Sequence, residues 1–417
     1  MTFRKKITIS SLFVSVVIFA VYVYSTAQAP ESYLVSDVQK LAPKKIFIVD
    51  GELSGDRIAA WYIHALKQRH HNLTCEAIGE QFLAQEEVKL LHNFTTLRSG
   101  IRIASGIFNY IKNIPTCIDL FHQVTDYILM HNFDHIILVD APFITIPLAR
   151  ALKKRCRSLH ITYIAPPELW FWGTWHIDKV IKKYCDKIIV IYPFEVAWYK
   201  KIGLPVEWLG YPFYEEFLPY LLHEQAKEKC IALLPGSRQG EMTTMMPILA
   251  SFIKQFHAQY PDVAFILPLA ESFTVESMNN LLQQYDIINS VKIITGTSEK
   301  KNALSKCCFA ITKPGTVTLD LALLKVPSII TYKVSWATYL FIRFTANPVY
   351  VGLPNLFSGR EICKELLQED CNAQTLLREA LTLYRAFLTK DALYQQKLDD
   401  LEALRQTFIH EWQSFSD

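Results

Sequence analysis

The sequence predicts an α/β protein: two facing Rossmann-like domains, preceded by an apolar segment and followed by a helical tail. Three observations carry that expectation. The chain has 417 residues, past the size at which a single core keeps growing, so two domains are expected. Short β-branched runs alternate with helix-patterned stretches, the mark of parallel sheets covered on both faces. An aromatic- and Pro-rich stretch from Gly210 to His223 divides the alternation into two series and reads as the linker.

The first series opens with Ile46-Phe-Ile-Val-Asp50, a short apolar strand ending in Gly51, followed by the helix-patterned Arg57 to Arg69. The unit recurs at His135-Ile-Ile-Leu-Val-Asp140 before Ile146 to Lys154, then at Ile161 to Ile164 and Lys187 to Tyr192. The second series starts at Ile231 and continues through Ala264 to Leu267, Val291 to Ile294, Cys308 to Ile311 and Ser328 to Tyr332. From Ala373 to Trp412 the pattern is helical without Pro or Gly, a tail able to pack back across the first domain. Expected boundaries are therefore 1–40 for an apolar membrane segment and linker, 41–222 and 223–372 for the two domains, and 373–417 for the tail. Facing domains of this kind bring the C-terminal ends of both sheets to a shared cleft, where open α/β sheets bind ligands.

Composition narrows the function classes. A hydrophobic content of 51% with 20% charged residues belongs to a globular protein with a large core, and a net charge of +3 gives no electrostatic footprint for nucleic acid. The nine cysteines contain no C-x-x-C pair and no regular spacing, which argues against a zinc site or a disulfide framework and for reduced buried thiols. The N-terminus points the other way. Arg4-Lys5-Lys6 precedes the uncharged run Ile7 to Tyr24, long enough to cross a bilayer, and Ala27-Gln28-Ala29 resembles a signal-peptidase site. Cleavage, spanning and an interfacial position are all open, and the positive-inside rule alone would export the remainder. The thiols favour a membrane-bound protein whose catalytic body stays in the cytoplasm.

Four segments carry the chemistry. Pro235-Gly236-Ser237-Arg238 follows the strand at Ile231 and precedes a helix, so its backbone N–H groups and one guanidinium suit a phosphate; an ordinary βα turn with a solvated Arg is the plain alternative. Gly51-Glu52-Leu53-Ser54-Gly55-Asp56 follows the first strand directly, with Ser54 or Asp56 placed to cap the next helix and Glu52 without helical duty. It is not G-x-G-x-x-G, which weakens a dehydrogenase reading. Asp140 ends a buried strand before Ala141-Pro142, where a carboxylate faces the cleft and partial burial raises it toward general-base range; the alternative is a cap for the helix near Ile144. Gly315 and Thr316 open a further helix, and Asp320, one turn on, suits a ribose or is a surface acid. No Asp-x-Asp occurs, so neither a metal nor another cofactor is expected. Leu169-Trp-Phe-Trp172 with Trp175 suits a membrane interface, an acyl groove or plain core packing.

Taken together, Gly51-Glu-Leu-Ser-Gly-Asp56, Val139-Asp-Ala-Pro142, Leu234-Pro-Gly-Ser-Arg238 and Leu353-Pro-Asn355-Leu-Phe-Ser-Gly-Arg-Glu361 with Glu365-Leu-Leu-Gln368 resemble the lipid-A-disaccharide synthases, over about Lys44 to Gln368. The last motif is the strongest, as a long irregular match outside any regular element. The resemblance implies an inverting UDP-sugar glycosyltransferase of glycosyltransferase-B type. Such enzymes move 2,3-diacylglucosamine from UDP to the 6-hydroxyl of 2,3-diacylglucosamine 1-phosphate. It implies Asp140 as the base and Arg238 as a diphosphate ligand. Glu52, Ser54, Gly55, Asp56, Gly236, Ser237, Gly315, Thr316, Asp320 and Asn355 are the further expected substrate contacts. The expected partners are the UDP-diacylglucosamine donor, the acylated glucosamine 1-phosphate acceptor and the inner-membrane surface, with no nucleic acid. The catalytic body is expected on the cytoplasmic face. Lys313-Pro314 before Gly315, Asp320 in place of the usual Glu, and the N-terminal apolar segment depart from the family pattern. Lys313 there either adds a phosphate contact or is solvated. A related glycosyltransferase with another lipid or polyprenyl acceptor, a nucleotide-sugar epimerase and a non-catalytic sugar-nucleotide binder are the other readings.

Overall fold

The computed structural model describes residues 45–416 apart from 51–52, 71, 80, 92–113, 169–176, 202, 209, 212–213, 224, 271, 335, 337–338 and 340–348. The N-terminal apolar run, Glu52 and the aromatic cluster from Leu169 to Trp175 lie outside the described residues, as does the side chain of Ser54. The chain divides after residue 212 into two compact units.

The first unit is built on strands β1 (Lys45–Asp50), β2 (Thr74–Ile78), β3 (Lys89–Leu90), β4 (His135–Val139), β5 (His160–Ile164), β6 (Lys187–Val190) and β7 (Val206–Trp208). They form one sheet in the order β3-β2-β1-β4-β5-β6-β7, every pairing parallel. Helices α1 (Leu53–Arg69), α2 (Gln81–Gln85), α3 (Ile114–Met130), α4 (Pro142–Arg155), α5 (Ile177–Tyr184) and α6 (Pro193–Lys201) alternate with the strands. The central strands are apolar at nearly every position because both sheet faces are covered: Ile46 to Val49 and Ile136 to Val139 have no exposed surface.

The second unit repeats the plan with β8 (Glu228–Leu234), β9 (Ala264–Pro268), β10 (Val291–Ile294), β11 (Cys307–Thr312), β12 (Ser328–Tyr332) and β13 (Lys364–Leu367), again all parallel, in the order β10-β9-β8-β11-β12-β13. Its helices are α7 (Leu218–Leu222), α8 (Gln239–His257), α9 (Val275–Gln284), α10 (Thr297–Ser305), α11 (Thr316–Leu323), α12 (Leu353–Ser358), α13 (Ala373–Thr389) and α14 (Ala392–Ser416). Within the second unit, the helices after residue 372 that the sequence sets apart as a tail pack on its core: α13 on α8 and α14 on α11. Tyr384 and Tyr394 carry that packing, Tyr394 donating its hydroxyl to Cys308 O at 2.7 Å.

Both sheets reverse strand order beside their first strand, between β1 and β4 and between β8 and β11. At such a reversal the loops leave toward opposite faces and open a crevice beyond the strand ends. Strand β2 and the edge strands β3, β7 and β13 escape a reading of apolar runs because they are short or carry polar residues such as Glu76, Glu207 and Glu365. The motif from Leu353 to Gln368, read as irregular, contains α12 and β13. Pro354 stands in the first turn of that helix, where its missing N–H costs nothing.

Candidate active site

At the first reversal, Asp50 ends β1 opposite Val139, and Asp140 directly follows β4. Asp140 and Ala141 both take left-handed backbone conformations, φ 50° and 44°, which cost a non-glycine residue free energy unless the surroundings impose them. The surroundings here do so. Asp140 N donates to Ile164 O at 3.0 Å, and Asp140 O accepts from Thr145 Oγ1 at 2.8 Å and Tyr163 OH at 3.0 Å. Thr145 and Tyr163 are fully buried and joined at 2.7 Å. The N-cap position of α4 is taken by Ala141 rather than by Asp140. The half-buried Asp140 is held by its main chain at the crevice end of β4.

Gly55 and Asp56 serve this corner from within. Asp56 is fully buried, and its Oδ2 accepts the Phe82 amide at 2.8 Å, capping α2 rather than its own helix. Asp50 and Asp56 converge on Gly79, where a Cβ would stand 2.9 Å from Asp56 Oδ1 and 3.2 Å from Asp50 Oδ2. At Gly55 a Cβ would lie 3.1 Å from Asp50 Oδ1, so the glycine lets the first turn of α1 approach the end of β1.

Sequence reasoning passed over Glu168, four residues beyond β5. Glu168 is exposed, yet desolvation by the protein packed around it pushes its carboxyl up to about 7, with repulsion by Asp140 adding to the rise. The buried Tyr199 donates to Pro167 O at 2.5 Å and pins the segment that carries it. Its signal is a carboxylate placed just past an apolar strand, behind Pro166-Pro167.

At the second reversal, Pro235 to Arg238 joins β8 to α8, and Lys313 to Gly315 joins β11 to α11. Gly236 has φ 138° and Gly315 φ 140°, conformations open to glycine. Ser237 and Arg238 are exposed at the N-terminus of α8, and Gly315 and Thr316 are exposed at that of α11. Asp320 is half-buried one turn into α11. The expectation that the amides of the first turn stand free is corrected: Ser237 N and Arg238 N donate to Glu241 Oε2 at 2.9 and 3.2 Å. Lys313 is not simply solvated but sits 2.6 Å from Glu241 Oε1. Glu241 was missed, yet three residues after Arg238 it follows the spacing by which a first-turn Glu reaches back to the amides before its helix.

Asn355 is fully buried. Its Oδ1 accepts from Ile362 N and Cys363 N, each at 2.8 Å, while its Nδ2 donates to Cys363 O at 2.7 Å and Glu365 Oε1 at 2.8 Å. These bonds use all four hydrogen-bonding positions of the amide. Glu365 also accepts from Val351 N and Gly352 N, at 3.0 and 2.9 Å. Burial raises its carboxyl while these amide donors hold it down. The structure thus gives Asn355 an internal role, tying α12 to the edge strand β13.

Among the described residues no cluster of His, Cys, Asp and Glu could hold a metal ion, and no helix is long and apolar enough to cross a membrane. The eight described cysteines are free.

Solved structures share this architecture. The UDP co-structure of MnaA from S. aureus superposes with a TM-score of 0.55 at 12% identity, covering 86% of this chain and 91% of that one. UDP-GlcNAc 2-epimerase from Neisseria meningitidis, bound to UDP-GlcNAc, gives 0.53 at 11% identity over 88% of this chain and all of that one. At such identities the likeness establishes the fold alone. Sequence relatives are nearer. Lipid-A-disaccharide synthase of Geobacter sulfurreducens is 30% identical over 344 residues, 80% of this chain and 86% of the relative. Lipid-A-disaccharide synthase 1 of Legionella pneumophila (strain Lens) is 30% identical over 342 residues, with the same coverage. The profile of the lipid-A-disaccharide synthetase family matches residues 46–413, and the chain therefore belongs to that family.

Proposed function

We infer that this protein is an inverting glycosyltransferase of lipid A biosynthesis. It condenses UDP-2,3-diacylglucosamine with 2,3-diacylglucosamine 1-phosphate to give the β-1,6 disaccharide 1-phosphate and UDP. The observation that carries the reading is the placement of the family's motifs. Val139-Asp140-Ala-Pro142 follows β4 and Leu234-Pro-Gly-Ser-Arg238 follows β8, each at the strand-order reversal of its own sheet.

Asp140 takes the proton of the acceptor's 6-hydroxyl as that oxygen attacks the anomeric carbon from the face opposite UDP. The imposed left-handed turn supports this role, because a base whose main chain cannot relax loses little entropy in the transition state. Arg238, with the N–H groups near Gly236 and Gly315, those of Ser237 and Arg238 included, offsets the charge that grows on the leaving diphosphate. Asp320 takes the donor's ribose. Ser54 and Glu52 belong to the acceptor side with Gly55 and Asp56, the latter two by shaping the corner around Asp50. No step calls for a metal, since cationic and amide groups of the chain supply the charge compensation.

The catalytic body acts at the cytoplasmic face of the inner membrane. Cytoplasmic supply of UDP-sugars and eight free thiols support that placement. Protease access to the folded body from outside intact spheroplasts would overturn it.

The test of function is mass spectrometry of the product formed by purified protein from both acylated sugars. Disaccharide 1-phosphate with stoichiometric UDP is the expected result. Conversion of the donor without acceptor would identify an epimerase instead, and turnover only with a polyprenyl acceptor would identify another transferase.

A further inference from the structure

The Glu241–Lys313 pair bridges the two turns of the second reversal, and its geometry sets out a competition. β8 and β11 are neighbours with Leu234 opposite Thr312, and Lys313 N continues the ladder by donating to Leu234 O at 3.1 Å. The side chains that follow meet above those strand ends. One carboxylate oxygen of Glu241 takes two main-chain amides of the turn and the other takes the Lys313 ammonium. Both side chains are largely withdrawn from water, 12% exposed for Glu241 and 21% for Lys313. A Cβ at Gly236 would stand 2.2 Å from Glu241 Oε2, so the glycine is what lets the carboxylate lie beneath the turn. From the other side Ser272 Oγ donates to Ser237 O at 2.5 Å, holding the turn to which the carboxylate is bound. Two amides and one ammonium arranged around two anionic oxygens form the donor set that a diphosphate uses.

We propose that Glu241 is a built-in competitor of the donor's diphosphate: it engages the same amides and the same Lys313, and surrenders them when the nucleotide binds. Lys313 is thereby a second cation for the diphosphate beside Arg238, held in position by Glu241. The proposal rests on the reading of this turn as the UDP-sugar site and adds a sign to it. A carboxylate at the diphosphate lowers affinity for the nucleotide, and so eases release of UDP after transfer; product release is the slow step in many enzymes. Lys313 works in the opposite direction.

The test is a double-mutant cycle on the full chain, with UDP affinity read by calorimetry and UDP release by stopped flow. Glu241→Gln keeps an oxygen for the Ser237 and Arg238 amides and removes the charge; UDP should then bind about tenfold tighter and leave more slowly. Lys313→Ser should weaken UDP about tenfold, because a carboxylate is left facing the diphosphate without its counter-ion. The double variant should return to within about threefold of the wild type. A purely structural cap predicts the other sign, so equal or weaker UDP binding by Glu241→Gln overturns the proposal. Should that variant fail to fold, Lys313→Arg against Lys313→Met decides it: affinity kept by Arg and lost by Met supports the proposal, and equal affinity for both overturns it. A wild-type chain that binds no UDP would overturn the donor-site reading itself, an outcome distinct from these.

Discussion

Asn355 donates its side-chain amide to Glu365 Oε1 at 2.8 Å, joining the start of α12 to the middle of β13 inside the most distinctive motif of the chain. The same amide serves Ile362 and Cys363, so Asn355→Ala orphans several buried groups at once. The expected cost is about 1–3 kcal/mol, read as a lower denaturant midpoint with an unchanged m-value. Asn355→Asp should cost more, since it sets a second carboxylate against Glu365. An unaltered midpoint in both variants would show that the motif does not depend on this bond.

Asp140→Asn should reduce kcat by at least about a hundredfold while UDP affinity stays near the wild-type value, because a general base acts on the acceptor and contributes in the transition state. Retention of kcat within about tenfold would remove Asp140 from the base role. The main-chain bonds that impose its left-handed turn are unaffected by the change, so folding is expected to survive.

Arg238→Ala should weaken UDP binding about ten- to a hundredfold and slow turnover as well, since a charge-assisted phosphate contact exists in the ground state too. Calorimetry decides this directly, and unchanged UDP affinity would mean that the guanidinium points elsewhere.

Acid should destabilise the first unit through His135. Burial, aided by the neighbouring His160 and Lys187, lowers its pKa to about 3, and its Nε2 is hydrogen-bonded to Thr162 Oγ1 at 2.8 Å. Between its ordinary value of 6.5 and about 3 the unfolded chain binds a proton that the folded chain refuses. Stability therefore falls as pH drops through that window and is fully present above it. His135→Gln should flatten the acid side of a plot of melting temperature against pH. An identical slope in the variant would assign the acid sensitivity to other groups.

Strands are legible in the chain wherever a buried strand is a continuous apolar run, as at Ile46 to Val49, Ile136 to Val139 and Ile231 to Leu233. The sequence also placed the chemical motifs at strand ends, because the Gly, Pro and Asp residues that terminate a run are local in the chain. Pro235 to Arg238 and Asp140-Ala-Pro142 were legible for that reason. Edge strands such as β13 were not, since a strand paired on one side tolerates Lys364 and Glu365 and loses the apolar signal.

Which groups meet depends on how the elements pack. Asp56 caps a helix that begins 25 residues later, and Lys313 finds Glu241 across 72 positions. Those partnerships exist because β1 lies beside β2 and β8 beside β11, an order set by how crossover helices pack rather than by any local pattern. The same cause separates the residues that shape the corners from those that face the crevice. Burial and hydrogen-bond satisfaction assign Asp56 and Asn355 inward, and neither quantity can be read from a chain before its neighbours are known.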